Sequence, residues 1–182
     1  LVNWPNGLFL SCRWSDQPWL DLQRLRVLDY RHTLDLARGV LERDFRVEDP
    51  KGRIVKIRSR RLVHMDRPHL AALTWEVTAE NWSGDMILRT ALDGRVRNQG
   101  VARYRDLDGR HLQPEGLGLF DSDGLWLAVH TNQSRVRMVQ AARTRLHDGR
   151  SDGLHEYGRH TRMESGYLAQ DIAFKIRAGH PV

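Results

Sequence analysis

From Val40 to Asp93 the chain reads VLERDFRVEDPKGRIVKIRSRRLVHMDRPHLAALTWEVTAENWSGDMILRTALD, and this stretch decides the fold. In Val40–Glu48 the positions Leu41, Phe45 and Val47 are apolar while Glu42, Asp44, Arg46 and Glu48 are charged, the period-two signature of a half-buried strand. Asp49-Pro50-Lys51-Gly52 closes a hairpin, because proline sets φ at the second position of a type I turn and glycine suits the fourth. The return strand, Arg53–Met65, carries Ile54, Val55, Ile57, Leu62 and Val63 among Lys56, Arg58, Arg60 and Arg61, so one side stays wet. Arg67-Pro68 ends it. Ala71, Leu73, Trp75 and Val77 then face one way and Thr74, Glu76 and Thr78 the other; after an Asn81-Trp82-Ser83-Gly84 turn, Met86, Leu88, Thr90 and Leu92 resume the alternation. Four meandering strands need a second layer over their apolar face.

The flanking chain supplies strands for that layer. Leu8–Trp14, Val27–Leu36, Leu125–Thr131, Val136–Leu146 and Tyr167–Ala178 alternate, whereas in Trp19–Leu25 the positions Leu20, Leu22 and Leu25 fit either a strand or one helical turn, and the segment is left unassigned. Two segments lack periodicity and read as connections. One runs from Asp93-Gly94 through Val101-Ala102-Arg103-Tyr104 to His111, and the other is His147–Gly166. Long excursions of this kind are disproportionately functional. About eight strands with turn signals between them predict an all-β fold, an antiparallel two-layer β-sandwich formed as one domain over residues 1–182.

Composition narrows the class. With 182 residues, 40% hydrophobic and 29% charged, the chain has the makings of a globular core. No apolar run reaches membrane-spanning length and the first residues lack a signal-peptide layout, so no membrane partner is expected. Cys12 is the sole cysteine, which excludes an internal disulfide framework or a thiolate zinc site and favours a reducing, cytoplasmic setting. The net charge of +6 rests on arginine, with lysine only at Lys51, Lys56 and Lys175. Arginines alternating along strands read as the solvated face of a sheet, and without a recognition motif they do not argue for a nucleic-acid partner.

Several strings resemble a known family. Leu28-Asp29-Tyr30-Arg31, Leu34-Asp35-Leu36-Ala37-Arg38-Gly39-Val40-Leu41, Arg60-Arg61-Leu62-Val63, Pro68-His69-Leu70-Ala71-Ala72-Leu73 and Ala91-Leu92-Asp93-Gly94-Arg95-Val96 resemble the N-terminal domain of glycoside hydrolase family 65, as do Asn3-Trp4-Pro5-Asn6 and Val101-Ala102-Arg103-Tyr104. The resemblance covers nearly the whole chain. It implies a supersandwich-like β-sandwich that precedes a catalytic (α/α)6 barrel of the same polypeptide, with this chain an incomplete fragment of the full domain. It implies an inverting phosphorylase or trehalose hydrolase acting on an α-linked glucose disaccharide, with no cofactor and with inorganic phosphate as co-substrate where phosphorolysis is the reaction. A homodimer contact is a further expectation. No residue of this chain inherits a catalytic, cofactor or metal role from the resemblance.

Glu76 with Glu80, or Glu42 with Glu48, could form a carboxylate pair, but each sits at an outward strand position or strand end where a solvated charge is the plainer reading. His155-Glu156 and His160 are spaced by five rather than the four residues a zinc-binding helix needs. Asp121-Ser122-Asp123-Gly124 reads as a turn rather than a calcium loop, and Gly116-Leu117-Gly118 lacks the strand-to-helix context of a nucleotide site. Trp4, Trp14, Trp19, Trp75, Trp82 and Trp126 are candidates for stacking on sugar faces. Trp75 alternates with core positions, and Trp4 and Trp82 fall in turns. The segment Asn98–Tyr104 is expected to shape a pocket edge, and a free-standing carbohydrate-binding sandwich is the alternative to a domain of an enzyme.

Overall fold

The computed structural model describes residues 3–14, 17–99, 108–147 and 156–182. The fold is all-β, with no helix among the described residues, and its strands form three antiparallel sheets. The strands are β1 (Asn6–Trp14), β2 (Arg26–Asp35), β3 (Val40–Glu48), β4 (Ile54–Val63), β5 (Ala71–Ala79), β6 (Gly84–Asp93), β7 (Leu112–Phe120), β8 (Gly124–Thr131), β9 (Arg137–Arg143), β10 (Glu156–Glu164) and β11 (Tyr167–Ile176). Sheet orders are β1-β6-β11-β10, β2-β3-β4-β5 and β7-β8-β9.

The chain divides into two compact units, one of Leu1–Ser11, Leu88–Arg145 and Gly158–Ile172, the other of Cys12–Ile87, Leu146–Tyr157 and Ala173–Val182. In the first unit two layers meet. Leu112, Leu125, Leu127, Val129 and Met138 from β7, β8 and β9 pack on Leu92 of β6 and Leu168 of β11. Each such side chain contributes about 1.5–3 kcal/mol by leaving water. The layering expected from the sequence is therefore present here as a sandwich core.

The second unit is built on the β2–β5 meander. Its register runs Tyr30, Phe45, Ile57, Val77 in one row across the strands and Val27, Val47, Val55, Ala79 in the next. Phe45, Val47, Val55, Ile57, Val77 and Ala79 are buried. The β3–β4 hairpin is closed by Asp49, whose amide donates to the Arg53 carbonyl while its own carbonyl accepts from Gly52, with Gly52 at φ +75°. The Asp49 side chain is buried and accepts hydrogen bonds from Trp14 Nε1 at 3.0 Å, Arg53 Nε at 2.7 Å, and the amides of Lys51 at 2.8 Å and Arg53 at 3.0 Å.

Two stretches depart from the sequence reading. Leu112–Phe120, given no element there, is β7, paired along its length with β8 and shifted in register between Pro114 and Gly116. Its glycines make room for Trp126, since a Cβ on Gly118 would lie 2.7 Å from the indole Nε1 and one on Gly116 would lie 3.2 Å from Cη2. His147–Gly166, read as a connection, contains β10. Trp19–Leu25 is turn and irregular chain before β2.

Burial opposes the charge on Asp49, but hydrogen bonds from Trp14, Arg53 and Lys51 outweigh it and hold the carboxyl below its ordinary value. The folded carboxyl therefore titrates below the unfolded one. Its stabilisation is complete above about pH 4 and is lost as pH falls through the folded value. Asp49→Ala should cost about 3 kcal/mol in urea unfolding at pH 7 and should flatten the loss of stability on acidification. Trp14→Phe, which leaves the carboxylate one donor short, should cost about 1 kcal/mol. An Asp49→Ala protein as stable as the parent would refute this account of the turn.

Candidate functional site

The outward face of β2–β5 is a lattice of ion pairs. Across the strands Arg31, Asp44, Arg58 and Glu76 form one row and Thr33, Glu42, Arg60 and Thr74 the next. Arg58 Nε lies 3.1 Å from Asp44 and its Nη1 3.8 Å from Glu76; Arg60 lies 3.0 Å from Glu42, and Arg26 2.9 Å from Glu48. Arg46 grips Glu80 with both edges of its guanidinium, at 2.8 and 2.6 Å. The four glutamates singled out in the sequence thus each face an arginine. The Arg46 hydrogen bond holds Glu80 below the ordinary carboxylate range, opposite to the raised value that a general acid at neutral pH requires.

The inward face of the same sheet changes character along its length. Beyond the buried Phe45 row come His32, Arg43, Ser59 and Trp75, and then Leu34, Leu41, Arg61 and Leu73. Apolar side chains at this end are bare, with Leu34 58%, Val63 56% and Leu36, in the turn after β2, 84% exposed. Arg43 lies 5.1 Å over the Phe45 ring with its Nε unsatisfied. Among the described residues neither Arg43 nor Arg61 has a carboxylate partner.

The remaining sequence candidates fall as follows. Asp121 and Asp123 form the β7–β8 turn, Asp121 with φ +51°; Arg143 bonds both carboxylates and Arg145 bonds Asp123 at 2.8 Å. Gly116-Leu117-Gly118 lies inside β7. His160 is exposed on β10, while His155 lies outside the described residues. Asn98 accepts from the Asn3 amide at 2.8 Å and donates its own amide to Gly109, but the expected pocket-edge segment from Gly100 to Tyr104 lies outside the described residues. Trp14 is buried, and Trp82 is half-buried with its ring centroid 6.4 Å from that of Trp14 and its Nε1 bonded to the Ile54 carbonyl. Trp19 receives Arg13 at 5.3 Å, Trp75 and Trp126 are half-buried, and Trp4 is exposed.

Sequence reasoning missed one cluster. An open concavity of about 390 Å³ is lined by Gln113, Pro114, His130, Asn132 and Arg135. Behind it, Arg135 Nη1 lies 2.7 Å from His130 Nε2, His130 Nδ1 lies 3.1 Å from Glu115, and Glu115 accepts from Arg137 Nε at 2.8 Å. Pairing of β7, β8 and β9 sets Gln113, His130 and Arg137 side by side. The signal available in the sequence was weak, because β7 itself was unreadable.

Comparison with known proteins gives a consistent result. The family model described as glycosyl hydrolase family 65, N-terminal domain, matches residues 1–182. The chain is 36% identical over 184 residues to an uncharacterised glycosyl hydrolase of Mycobacterium tuberculosis, a match that covers 100% of this chain and 14% of that protein. It is 35% identical over 118 residues to an alpha,alpha-trehalose phosphorylase of Thermoanaerobacter brockii, covering 63% of this chain and 15% of the relative. A kojibiose phosphorylase of the same organism is 25% identical over 128 residues, covering 70% and 16%. The chain thus spans only a small part of the length of the curated relatives it matches.

Cys12 has no role at any of these places. It is fully buried, and burial pushes its thiol up to about 12, far from a reactive thiolate. An aromatic disulfide reagent at pH 8 should release less than about a tenth of an equivalent from the folded protein within an hour and one equivalent in denaturant. Rapid release from the folded state would contradict the burial.

Proposed function

The chain belongs to glycosyl hydrolase family 65 as its N-terminal domain, and from that membership we propose that it is the non-catalytic domain of a larger, cytoplasmic enzyme that cleaves an α-linked glucose disaccharide, by phosphorolysis or hydrolysis. The trehalose and kojibiose phosphorylases among its relatives support the substrate class. If phosphorolysis is the reaction, inorganic phosphate is the co-substrate. The acid that protonates the glycosidic oxygen belongs to the barrel of that enzyme in this reading.

The observation that carries the domain's own role is the bare end of the β2–β5 inner face. Exposed Leu34 and Val63 and half-buried Leu73 and Trp75 surround Arg43 and Arg61, which have no carboxylate partner among the described residues. An apolar patch holding two arginines suits a partner surface that brings aliphatic side chains and carboxylates. A second copy of the same patch would set like charges together, so the proposed occupant is the catalytic barrel.

Hydrogen exchange tests this reading. Amides of residues 30–34, 59–63 and 71–75 should exchange at least tenfold more slowly in the full-length enzyme than in the 182-residue protein. Leu34→Glu combined with Val63→Glu should leave the melting temperature of the 182-residue protein within about 2 °C, since both side chains are exposed, yet lower that of the enzyme. Equal exchange in both contexts would sink the proposed contact.

A further inference from the structure

The concavity beside β7 and β8 has the construction of a binding site. Arg135 is one of two non-glycine residues with positive φ among the described residues, at +56°. Holding an arginine there costs about 1 kcal/mol that glycine would not incur. The turn keeps it there. The Arg135 amide donates to the Thr131 carbonyl at 3.2 Å, the Val136 amide donates to Thr131 Oγ1 at 2.9 Å, and Thr131 Oγ1 and Ser134 Oγ are 2.5 Å apart. Non-glycine residues fixed in this region concentrate at functional sites.

The Arg135 guanidinium is aimed as well as strained. Arginine only donates, so His130 Nε2 accepts from Nη1, while His130 Nδ1 lies 3.1 Å from Glu115 without the alignment of a hydrogen bond. Glu115 is in turn held by Arg137. The bond to His130 occupies one corner of the guanidinium, and Arg135 lines the concavity with the rest of it.

Asn132 faces the same space in one orientation. Its Nδ2 donates to the Arg110 carbonyl at 3.0 Å and its amide to the His111 carbonyl at 2.9 Å, which leaves Oδ1 as an acceptor. Gln113 adds an amide with both functions, and Pro114 an apolar ring face. A donor fork beside a fixed acceptor selects hydroxyl groups, which give and take a hydrogen bond at once. A phosphate or carboxylate would meet the lone pairs of Asn132 Oδ1.

We infer that Arg135, Asn132 and Gln113 form a saccharide-binding site on this domain, one that engages vicinal hydroxyls of a glucoside outside the catalytic centre. A volume of about 390 Å³ admits one or two sugar rings. Four residues along β8 on the same face, roughly 13 Å away, Trp126 lies across Gly116 and Gly118 and extends the surface with an aromatic ring. The choice of glucosides as probes rests on the proposed function.

The test is an NMR titration of the 182-residue protein with methyl α-glucoside, trehalose and kojibiose, and separately with inorganic phosphate. Saturable shifts at residues 113 and 130–135 with saccharide are expected, with Kd in the millimolar range. Arg135→Gly should abolish them, a loss of at least tenfold in affinity, while leaving the melting temperature equal or higher because the backbone strain is relieved. Asn132→Ala should weaken binding in the same direction. Shifts at these residues with phosphate but no saccharide, saccharide binding untouched by Arg135→Gly, or no shift with any saccharide at 100 mM in the folded protein would each overturn the site. Retained exchange protection on β2–β5 in the full-length enzyme would show that such a failure concerns this site and not the proposed domain contact.

Discussion

The Asp49 carboxylate organises the meander. A buried charge is tolerated only when its lone pairs are occupied, and here two side chains and two amides occupy them. Three of those donors come from the turn itself and one from Trp14 on β1. The bonds tie the β3–β4 connection to a single geometry, and that geometry sets the register. A slip of one residue would turn Arg46, Lys56 and Arg58 to the core and Phe45, Val55 and Ile57 to water. The inward apolar rows and the outward ion-pair lattice are two consequences of the same pairing.

Legibility in the sequence followed alternation closely. β2 to β6 were readable because apolar and polar residues alternate along them, with the buried positions of β3, β4 and β5 all on one face, and the Asp49-Pro50-Lys51-Gly52 turn carries its own chemistry. That the aspartate would also bind Trp14 was not readable, since the two are separated by 35 positions and by two strands. β7 was hidden by Pro114, Gly116 and Gly118, residues that usually mark turns. Here the glycines are required by the Trp126 ring, and the proline sits beside a shift in register. β10 lies at the edge of its sheet, with Tyr157, Gly158, His160, Arg162 and Met163 all exposed. Along it only Tyr157 and Met163 are large apolar residues, too few to show a period.

The two faces of the β2–β5 sheet show how composition alone can mislead. Arginine dominates the positive charge, which as a bulk property suggests an anionic partner. On the outward face Arg26, Arg46, Arg58 and Arg60 each meet a carboxylate, and pairs this exposed contribute at most about 1 kcal/mol apiece. Their effect is neutralisation more than stability. Arg43 and Arg61 differ because they lie among apolar side chains on the inward face. The informative quantity is the position of a charge relative to its neighbours, which only the register reveals.

Backbone strain draws a similar distinction between Asp121 and Arg135. Both adopt positive φ. Aspartate enters that region at modest cost, and Asp121 lies in a tight turn where Arg143 neutralises its carboxylate. The conformation there is accounted for by closing β7 onto β8. Arginine has no such local compensation, and a glycine at position 135 would satisfy the Thr131 turn equally well. What glycine would lack is the guanidinium that reaches His130 and lines the concavity. The retained cost at Arg135 is thus explained by the side chain it presents rather than by the turn it occupies.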